Sequence, residues 1–487
     1  MNRNVVLLTL VATLGGLLFG YDTAVISGAV GSLQAYFIAP RHLGTDAASS
    51  LLGFVVSSAL IGCIIGGLIG GWVSSRVGRK RGLIIAACLF LVSALGAAAP
   101  EFPFAPVGQG GAGYMAQFVF YRVLGGIGVG LASMLSPMYI AEIAPARIRG
   151  NLVAWNQLAI IFGMLVIYFV NYGIARAGDG DAWLNTIGWR YMFLSGVVPS
   201  VLFLGLLFLV PETPRYLMLK GNAQAARAVL DKLSTADEAA REIAEIRASL
   251  GEHHSGRLFS FGGAVLLIGI LLSVFQQFVG INVVLYYAPE IFKGMGLSTN
   301  ASLLQTIIVG AVNLGFTVVA IVTVDRYGRK PLQVVGALVM GASMMVLGTD
   351  FWQGGKGMVA LVCMLAYIAG FAVSWGPVTW VLLSEIFPNQ IRGKAMAVAV
   401  AAQWIANYLV SWTFPIMDKN PWLLTRFNHG FTYWVYGLMS VAAAVFVWKS
   451  VPETKGRSLE QMEKLWGGTR QGQAGGLAAA VPDLEKP

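Results

Sequence analysis

Charge is scarce in this chain. Of its 487 residues only 11% are Asp, Glu, Lys or Arg, while 56% are hydrophobic. Ordinary soluble proteins carry about 25% charged residues, so a water-facing surface of that kind is excluded. Cysteine is nearly absent: Cys63, Cys88 and Cys363 stand alone in apolar runs and offer neither a disulfide framework nor metal-ligand spacing. The four histidines, His42, His253, His254 and His429, form no ligand pattern, so no metal is expected; the His253–His254 pair reads as part of a solvated loop. No nucleophile–base arrangement is visible, which argues against an enzyme. Gly108-Gln-Gly110-Gly-Ala-Gly113 fits GxGxxG, but no strand precedes it, so dinucleotide binding and other cofactors are not expected. The net charge of +10 is spread over several loops, which suits anionic lipid headgroups rather than nucleic acid.

What the chain has instead is long apolar runs. A hydrocarbon core of ~30 Å takes about 20 helical residues. Runs that meet this length fall at 5–33, 50–73, 82–99, 115–138, 151–172, 189–210, 260–290, 303–324, 332–350, 357–383, 394–416 and 430–450. They predict an all-α polytopic membrane protein with twelve transmembrane helices. Glycine is plentiful, with 60 in all, and Gly62-x-x-x-Gly66-x-x-x-Gly70 is spaced for close helix packing. The first run lacks a clear cleavage site and contains Asp22, so it is expected to remain as a helix.

Three motifs recur about half a chain apart. Arg76-Val-Gly-Arg79-Lys80 returns as Arg326-Tyr-Gly-Arg329-Lys330, Glu142-Ile-Ala-Pro as Glu385-Ile-Phe-Pro, and Val210-Pro-Glu-Thr213 as Val451-Pro-Glu-Thr454. Six spans separate the copies. Six is even, so both halves insert the same way and form two parallel, pseudo-symmetric six-helix bundles. The expected division is a first bundle at 1–210, an amphipathic helical linker at 211–258, a second bundle at 259–451, and a tail at 452–487 whose Gly/Ala/Gln-rich end reads as disordered. Most Lys and Arg lie at the termini, in the even-numbered loops or in the linker; the other side carries Arg41, Arg176, Arg190, Lys293, Lys356, Lys419 and Arg426. Positive residues concentrate inside the cell, so both termini and the linker are expected to be cytoplasmic.

The stretch Phe275–Phe292 carries Gln276, Gln277, Asn282, Tyr286 and Tyr287 in otherwise apolar sequence. Amides in hydrocarbon are costly unless they face a partner or a wet cavity. On a straight helix Gln277 and Asn282 sit about 140° apart and cannot face one ligand. Gly280 between them is where the helix is expected to unwind and turn both inward, as in the broken helices of carriers. Gln157, Asn313, Gln403 and Asn407 are further amides within spans, and Trp375 and Trp380 flank Gly376-Pro377. Uncharged amides with aromatic faces suit a neutral polyhydroxylated solute. Taken singly, such amides also glue helices together, and tryptophans anchor interfaces.

Two charges lie deep inside spans, well away from the ends. Asp22 in the first and Arg122 in the fourth would each cost about 2.5–3.5 kcal/mol alone at a helix centre, so they are expected to pair. A carboxylate beside an arginine can exchange a proton when its hydration changes, which makes the pair a candidate proton-coupling site; the alternative is a static ion pair. At the cytoplasmic ends, Arg79, Arg149, Arg329 and Arg392 are candidates to hold Glu142 and Glu385 when the inner side is closed and to part when it opens. Simple positive-inside anchoring is the other reading.

From about Leu8 to Trp466 these residues resemble bacterial members of the sugar porter family of the major facilitator superfamily. The marks are the two RxGR[KR] segments, Pro211-Glu-Thr-Pro-Arg215, Gln276-Gln277…Gly280-Ile-Asn282 and Pro452-Glu-Thr-Lys-Gly456. The resemblance implies alternating access by two rocking bundles in a bacterial inner membrane, importing a monosaccharide, D-xylose first, with a proton. It places sugar contacts on Gln157, Gln276, Gln277, Asn282, Asn313, Trp380 and Gln403, with Phe19 and Tyr286 nearby, and the proton on Asp22 beside Arg122. A monomer surrounded by lipid is the expected working unit. Two residues depart from the pattern. Met164 stands where a xylose-carrying member has glutamine, which leaves glucose or another hexose open. Ser75 stands where the first motif copy usually has aspartate, which Asp325 keeps in the second. A proton-independent facilitator and a non-transporting sugar sensor are the other readings.

Overall fold

The computed structural model describes residues 3–145, 148–251, 258–259, 261–355, 357–388 and 390–455. The tail beyond 455, the His253–His254 pair and the side chain of Asp325 lie outside the described residues. Those described are helices joined by short turns, with no strand among them. Twelve spans are long and apolar enough to cross a membrane: Arg3–Arg41, Thr45–Arg76, Arg79–Ala98, Gly111–Ile143, Arg149–Ala177, Asp181–Leu209, Gly263–Gly294, Thr299–Val324, Arg329–Trp352, Met358–Ile386, Arg392–Asp418 and Gly430–Ser450. We number them 1 to 12. They coincide with the twelve expected runs but most are longer, because helices continue past the apolar stretch into polar ends such as Thr45 and Arg76.

Packing repeats between the halves. Span 1 lies along span 5 as span 7 lies along span 11, span 2 along span 4 as span 8 along span 10, and span 3 along span 6 as span 9 along span 12. The bundles meet chiefly where span 2 touches span 11 and span 5 touches span 8. Small residues decide how close the pairs come. At Gly126 in span 4 an added Cβ would strike the carbonyl of Ala59, and at Gly62 in span 2 it would strike that of Val123. Backbones are therefore in contact, and dispersion between them replaces the hydrophobic drive that lipid does not supply.

Between spans 6 and 7 lie three short helices, Pro214–Leu219, Ala223–Leu233 and Ala236–Gly251. Asn222 caps the second of them by accepting from the Ala225 amide at 3.0 Å.

Spans 7 and 10 are each broken at a residue that leaves the helical backbone, Gly280 and Ser374, and only the first break was legible beforehand. Span 7 divides into Gly263–Phe278 and Ile281–Gly294 at Gly280, whose φ is +93°. A side chain there would also collide with the Tyr436 ring at 2.7 Å, so glycine is required twice over. The Tyr367 hydroxyl donates to the buried Val279 carbonyl beside the break at 2.7 Å. Span 10 divides into Met358–Val373 and Trp375–Ile386 at Ser374, just before Pro377, which has no amide to continue the ladder.

At the end opposite the duplicated motifs, the bundles are drawn together. Lys419 Nζ donates to Gln34 Oε1 at 2.7 Å, Trp412 Nε1 to the Ser50 carbonyl at 3.1 Å, and Asn420 Nδ2 to Asp46 Oδ1 at 3.4 Å.

Candidate functional site

The break in span 7 brings together what a straight helix keeps apart. Asn282 Nδ2 donates to Gln277 Oε1 at 2.6 Å, and Gln277 Nε2 lies 3.5 Å from Gln276 Oε1. Gln276 Nε2 donates onward to the Trp375 carbonyl at 2.8 Å and the Gly376 carbonyl at 3.3 Å. One amide chain thus joins the two broken helices at their interruptions. It also uses up the donor hydrogens of Gln276.

Gln157, Asn282, Trp380 and Gln403 are partly exposed although they sit within spans, and Asn313 and Tyr286 are buried. They come from spans 5, 7, 8, 10 and 11, on either side of the bundle interface. Phe19 from span 1 packs against Trp404 of span 11 with ring centroids 5.7 Å apart. Met164 is buried where spans 1 and 5 touch: a Cβ on Gly20 would lie 3.1 Å from its amide nitrogen. Trp375 is not an open aromatic face. It is fully buried, and its indole N–H donates to the Gln333 carbonyl at 2.9 Å. Gln333 Nε2 in turn donates to Thr379 Oγ1 at 2.9 Å. Gln333 and Thr379 had not been singled out from the sequence; the only signal was a lone glutamine inside span 9.

Asp22 and Arg122 do pair. Arg122 Nη1 reaches Asp22 Oδ1 at 3.1 Å, and Nη2 reaches the Asp22 backbone carbonyl at the same distance. The Arg122 side chain is 1% exposed and that of Asp22 13%. The guanidinium lies over the Phe193 ring, 5.3 Å from its centroid. Asp22 Oδ2 and Arg122 Nε have no hydrogen-bond partner among the described residues. Such a half-satisfied pair is expensive in a low-dielectric interior, and it gains most from a change of protonation or of surroundings.

The duplicated motifs form matching clusters. Arg79 reaches Glu142 Oε1 through Nη2 at 2.7 Å and Nε at 3.1 Å, while Arg329 reaches Glu385 through Nη2 at 3.0 Å and Nε at 3.2 Å. In each half the Pro-Glu-Thr glutamate takes the free amides that begin the third helix of its bundle. Glu212 accepts from the amides of Arg79 and Lys80, and Glu453 from those of Arg329 and Lys330, all near 3.1 Å. A carboxylate at a helix N-terminus also meets the positive end of the dipole. Each of these arginine–glutamate pairs lies within its own half, Arg79–Glu142 in the first and Arg329–Glu385 in the second. Arg149 instead acts on Glu242 of the linker, whose carboxyl is pushed up by burial against that pull. Arg392 Nε reaches the Phe387 carbonyl at 3.3 Å.

Residues 8–466 match the family described as sugar (and other) transporter. The chain belongs to that family. It is 62% identical over 467 residues to a D-xylose-proton symporter of Escherichia coli (strain K12), covering 94% of this chain and 95% of that one. It is 44% identical over 462 residues to a glucose facilitated diffusion protein of Zymomonas mobilis, covering 94% and 97%. Among solved structures, the inward open conformation of the xylose transporter XylE from E. coli superposes with a TM-score of 0.86 at 59% identity, covering 95% of this chain and all of that one. The family member described here is therefore a twelve-helix, multi-pass membrane protein of the major facilitator fold.

Proposed function

We propose that this sugar transporter imports a monosaccharide together with a proton, with D-xylose as first substrate and glucose as the hexose to compare. The observation that carries this reading is the buried Asp22–Arg122 pair. An intramembrane carboxylate is a functional site by default, and the relative that shares 62% identity is a D-xylose-proton symporter. Gln157, Gln276, Gln277, Asn282, Asn313, Trp380 and Gln403 would hold the sugar, with Phe19 and Tyr286 beside it. Asp22 would carry the proton and Arg122 would set its affinity for it. Arg79, Glu142, Arg149, Arg329, Glu385 and Arg392 would brace the cytoplasmic ends as the bundles rock. Orientation in a bacterial inner membrane would put both termini and the linker inside the cell. The working unit would be a monomer in lipid, divided at 1–210, 211–258, 259–451 and 452–487.

The seal at the Gln34, Ser50 and Lys419 end supports an inward-facing arrangement for this structure. A facilitator that needs no proton is the second reading, and the 44% identity to a facilitated diffusion protein favours it. Uptake of labelled xylose and glucose into proteoliposomes, with and without an inward proton gradient, separates the two. Coupled import accumulates sugar only with the gradient, whereas a facilitator equilibrates it in both conditions.

A further inference from the structure

Three consecutive residues at the end of span 11 are each held by a different partner. Lys419 Nζ donates to Gln34 Oε1 of span 1 at 2.7 Å, and Asn420 Nδ2 to Asp46 Oδ1 of span 2 at 3.4 Å. Asp418, just before them, turns back into its own bundle, where its Oδ1 lies 2.9 Å from His429 Nδ1. The imidazole is held in place. Asn428 Nδ2 donates to the Phe351 carbonyl at 2.7 Å, and the Phe351 ring meets that of His429 edge-on with centroids 6.4 Å apart. The Glu290–Lys293 pair of span 7, 3.1 Å apart, abuts span 1 as well. A Cβ on Gly31 would lie 2.9 Å from Glu290 Oε1 and 3.3 Å from Lys293 Nζ.

These groups surround one cavity of about 330 Å³. The titratable side chains on it are Asp418 and Lys419 of span 11, Glu290, Lys293 and Tyr287 of span 7, and His429 and Tyr433 at the start of span 12. Spans 1, 2 and 9 face it with apolar side chains alone. With a neutral imidazole, the two carboxylates share the two ammonium groups. A proton on His429 gives Asp418 a cation of its own.

We propose that His429 is a positioning residue for transport: through Asp418 it sets how firmly Lys419 bolts the two bundles together on the outer side. With a proton on the imidazole, Asp418 is paired within its own bundle and the Lys419 ammonium is left to Gln34. Without that proton, the cations remaining on the cavity are Lys293, already paired with Glu290, and Lys419, the next residue in the chain. A full negative charge attracts an ammonium more strongly than an amide dipole does, so Asp418 competes with Gln34 and the bolt loosens. Acid outside the cell then favours closure, and the proton supply that would load Asp22 also shuts the outer side behind it. This inference rests on the orientation proposed above, which puts this end outside the cell.

The test reads how open the outer side is, in membrane vesicles of either orientation and in Asp22→Asn, so that the coupling carboxylate does not contribute. Val30, 1% exposed on the cavity wall, takes the reporter substitution Val30→Cys, labelled with a membrane-impermeant maleimide. Its rate is divided by that of Leu43→Cys, where Leu43 is 43% exposed, which cancels the pH dependence of the thiol itself. The protein without an added cysteine gives the background from Cys63, Cys88 and Cys363. Between about pH 5.5 and about pH 8, either side of the ordinary imidazole value, the ratio should rise about two- to fivefold, the range open to a partly exposed pair. His429→Gln keeps a hydrogen-bonding side chain without the charge and should hold the ratio at its high, alkaline level throughout. Asp418→Asn leaves Lys419 no rival for Gln34 and should hold it at the low, acid level, a second readout should His429→Gln fail to fold. A ratio that is flat with His429 and Asp418 intact, or that still follows pH in either variant, overturns this inference alone. Labelling of Val30→Cys from the cytoplasmic face only overturns the proposed orientation and this inference with it.

Discussion

Gln277 and Asn282 are five residues apart and hydrogen-bonded at 2.6 Å. A continuous helix turns those two side chains to different faces. Their contact exists because Gly280 takes a left-handed backbone between them.

That relationship makes Gly280 a sensitive position. Gly280→Ala places a side chain at φ +93° and against the Tyr436 ring, which costs about 1–3 kcal/mol of backbone strain before any repacking. The expected outcome is a lower thermal midpoint in detergent together with a loss of sugar affinity. Gln277→Ala and Asn282→Ala should weaken sugar binding while keeping the thermal midpoint close to that of wild type. Calorimetric titration with thermal unfolding checks all three, and unchanged affinity in the two alanine variants contradicts the broken-helix site.

The duplicated ion pairs differ in depth. The Arg79 and Glu142 side chains are 9% and 11% exposed, against 12% and 25% for Arg329 and Glu385. Removing one partner of a buried pair costs about 3–5 kcal/mol because the other charge is left uncompensated. Glu142→Gln should therefore lower the thermal midpoint more than Glu385→Gln. An equal or reversed order contradicts the assignment of depth.

His429 gives a pH dependence outside the membrane spans. Its Nδ1 lies 2.9 Å from Asp418 Oδ1, and this hydrogen bond raises the imidazole above its usual value despite burial. A raised value in the folded state means stability that is fully present below about pH 6.5, the unfolded value. It is lost as pH rises through the folded value. The imidazole is 37% exposed, so screening by solvent holds the effect to about 1 kcal/mol or less. His429→Ala should lower the thermal midpoint in acid and make no difference in base. A loss independent of pH contradicts the ion pair.

How much of this was legible in the sequence divides along a physical line. Local signals carried through: apolar runs gave the spans, motif spacing gave the two halves, and Gly280 among amides gave the break in span 7. Asp22 and Arg122 announced each other because a lone charge in hydrocarbon needs a partner. Relationships set by which helix lies opposite did not show. Trp375 read as an aromatic face, yet Gln333 holds its indole and Gln276 holds its carbonyl. Glu212 and Glu453 were visible as a repeated motif, but their role at the helix starts beginning at Arg79 and Arg329 depends on residues more than a hundred positions away. Which arginine reaches which glutamate was hidden for the same reason, since charge type does not tell it.

The central claim is that Asp22 carries the proton that drives sugar uphill. Proteoliposomes holding wild type or Asp22→Asn, given labelled sugar and an inward proton gradient, test it most directly. Wild type should accumulate sugar above the external concentration, whereas Asp22→Asn should only equilibrate it while still exchanging labelled for unlabelled sugar. Gradient-driven accumulation by Asp22→Asn would contradict the account.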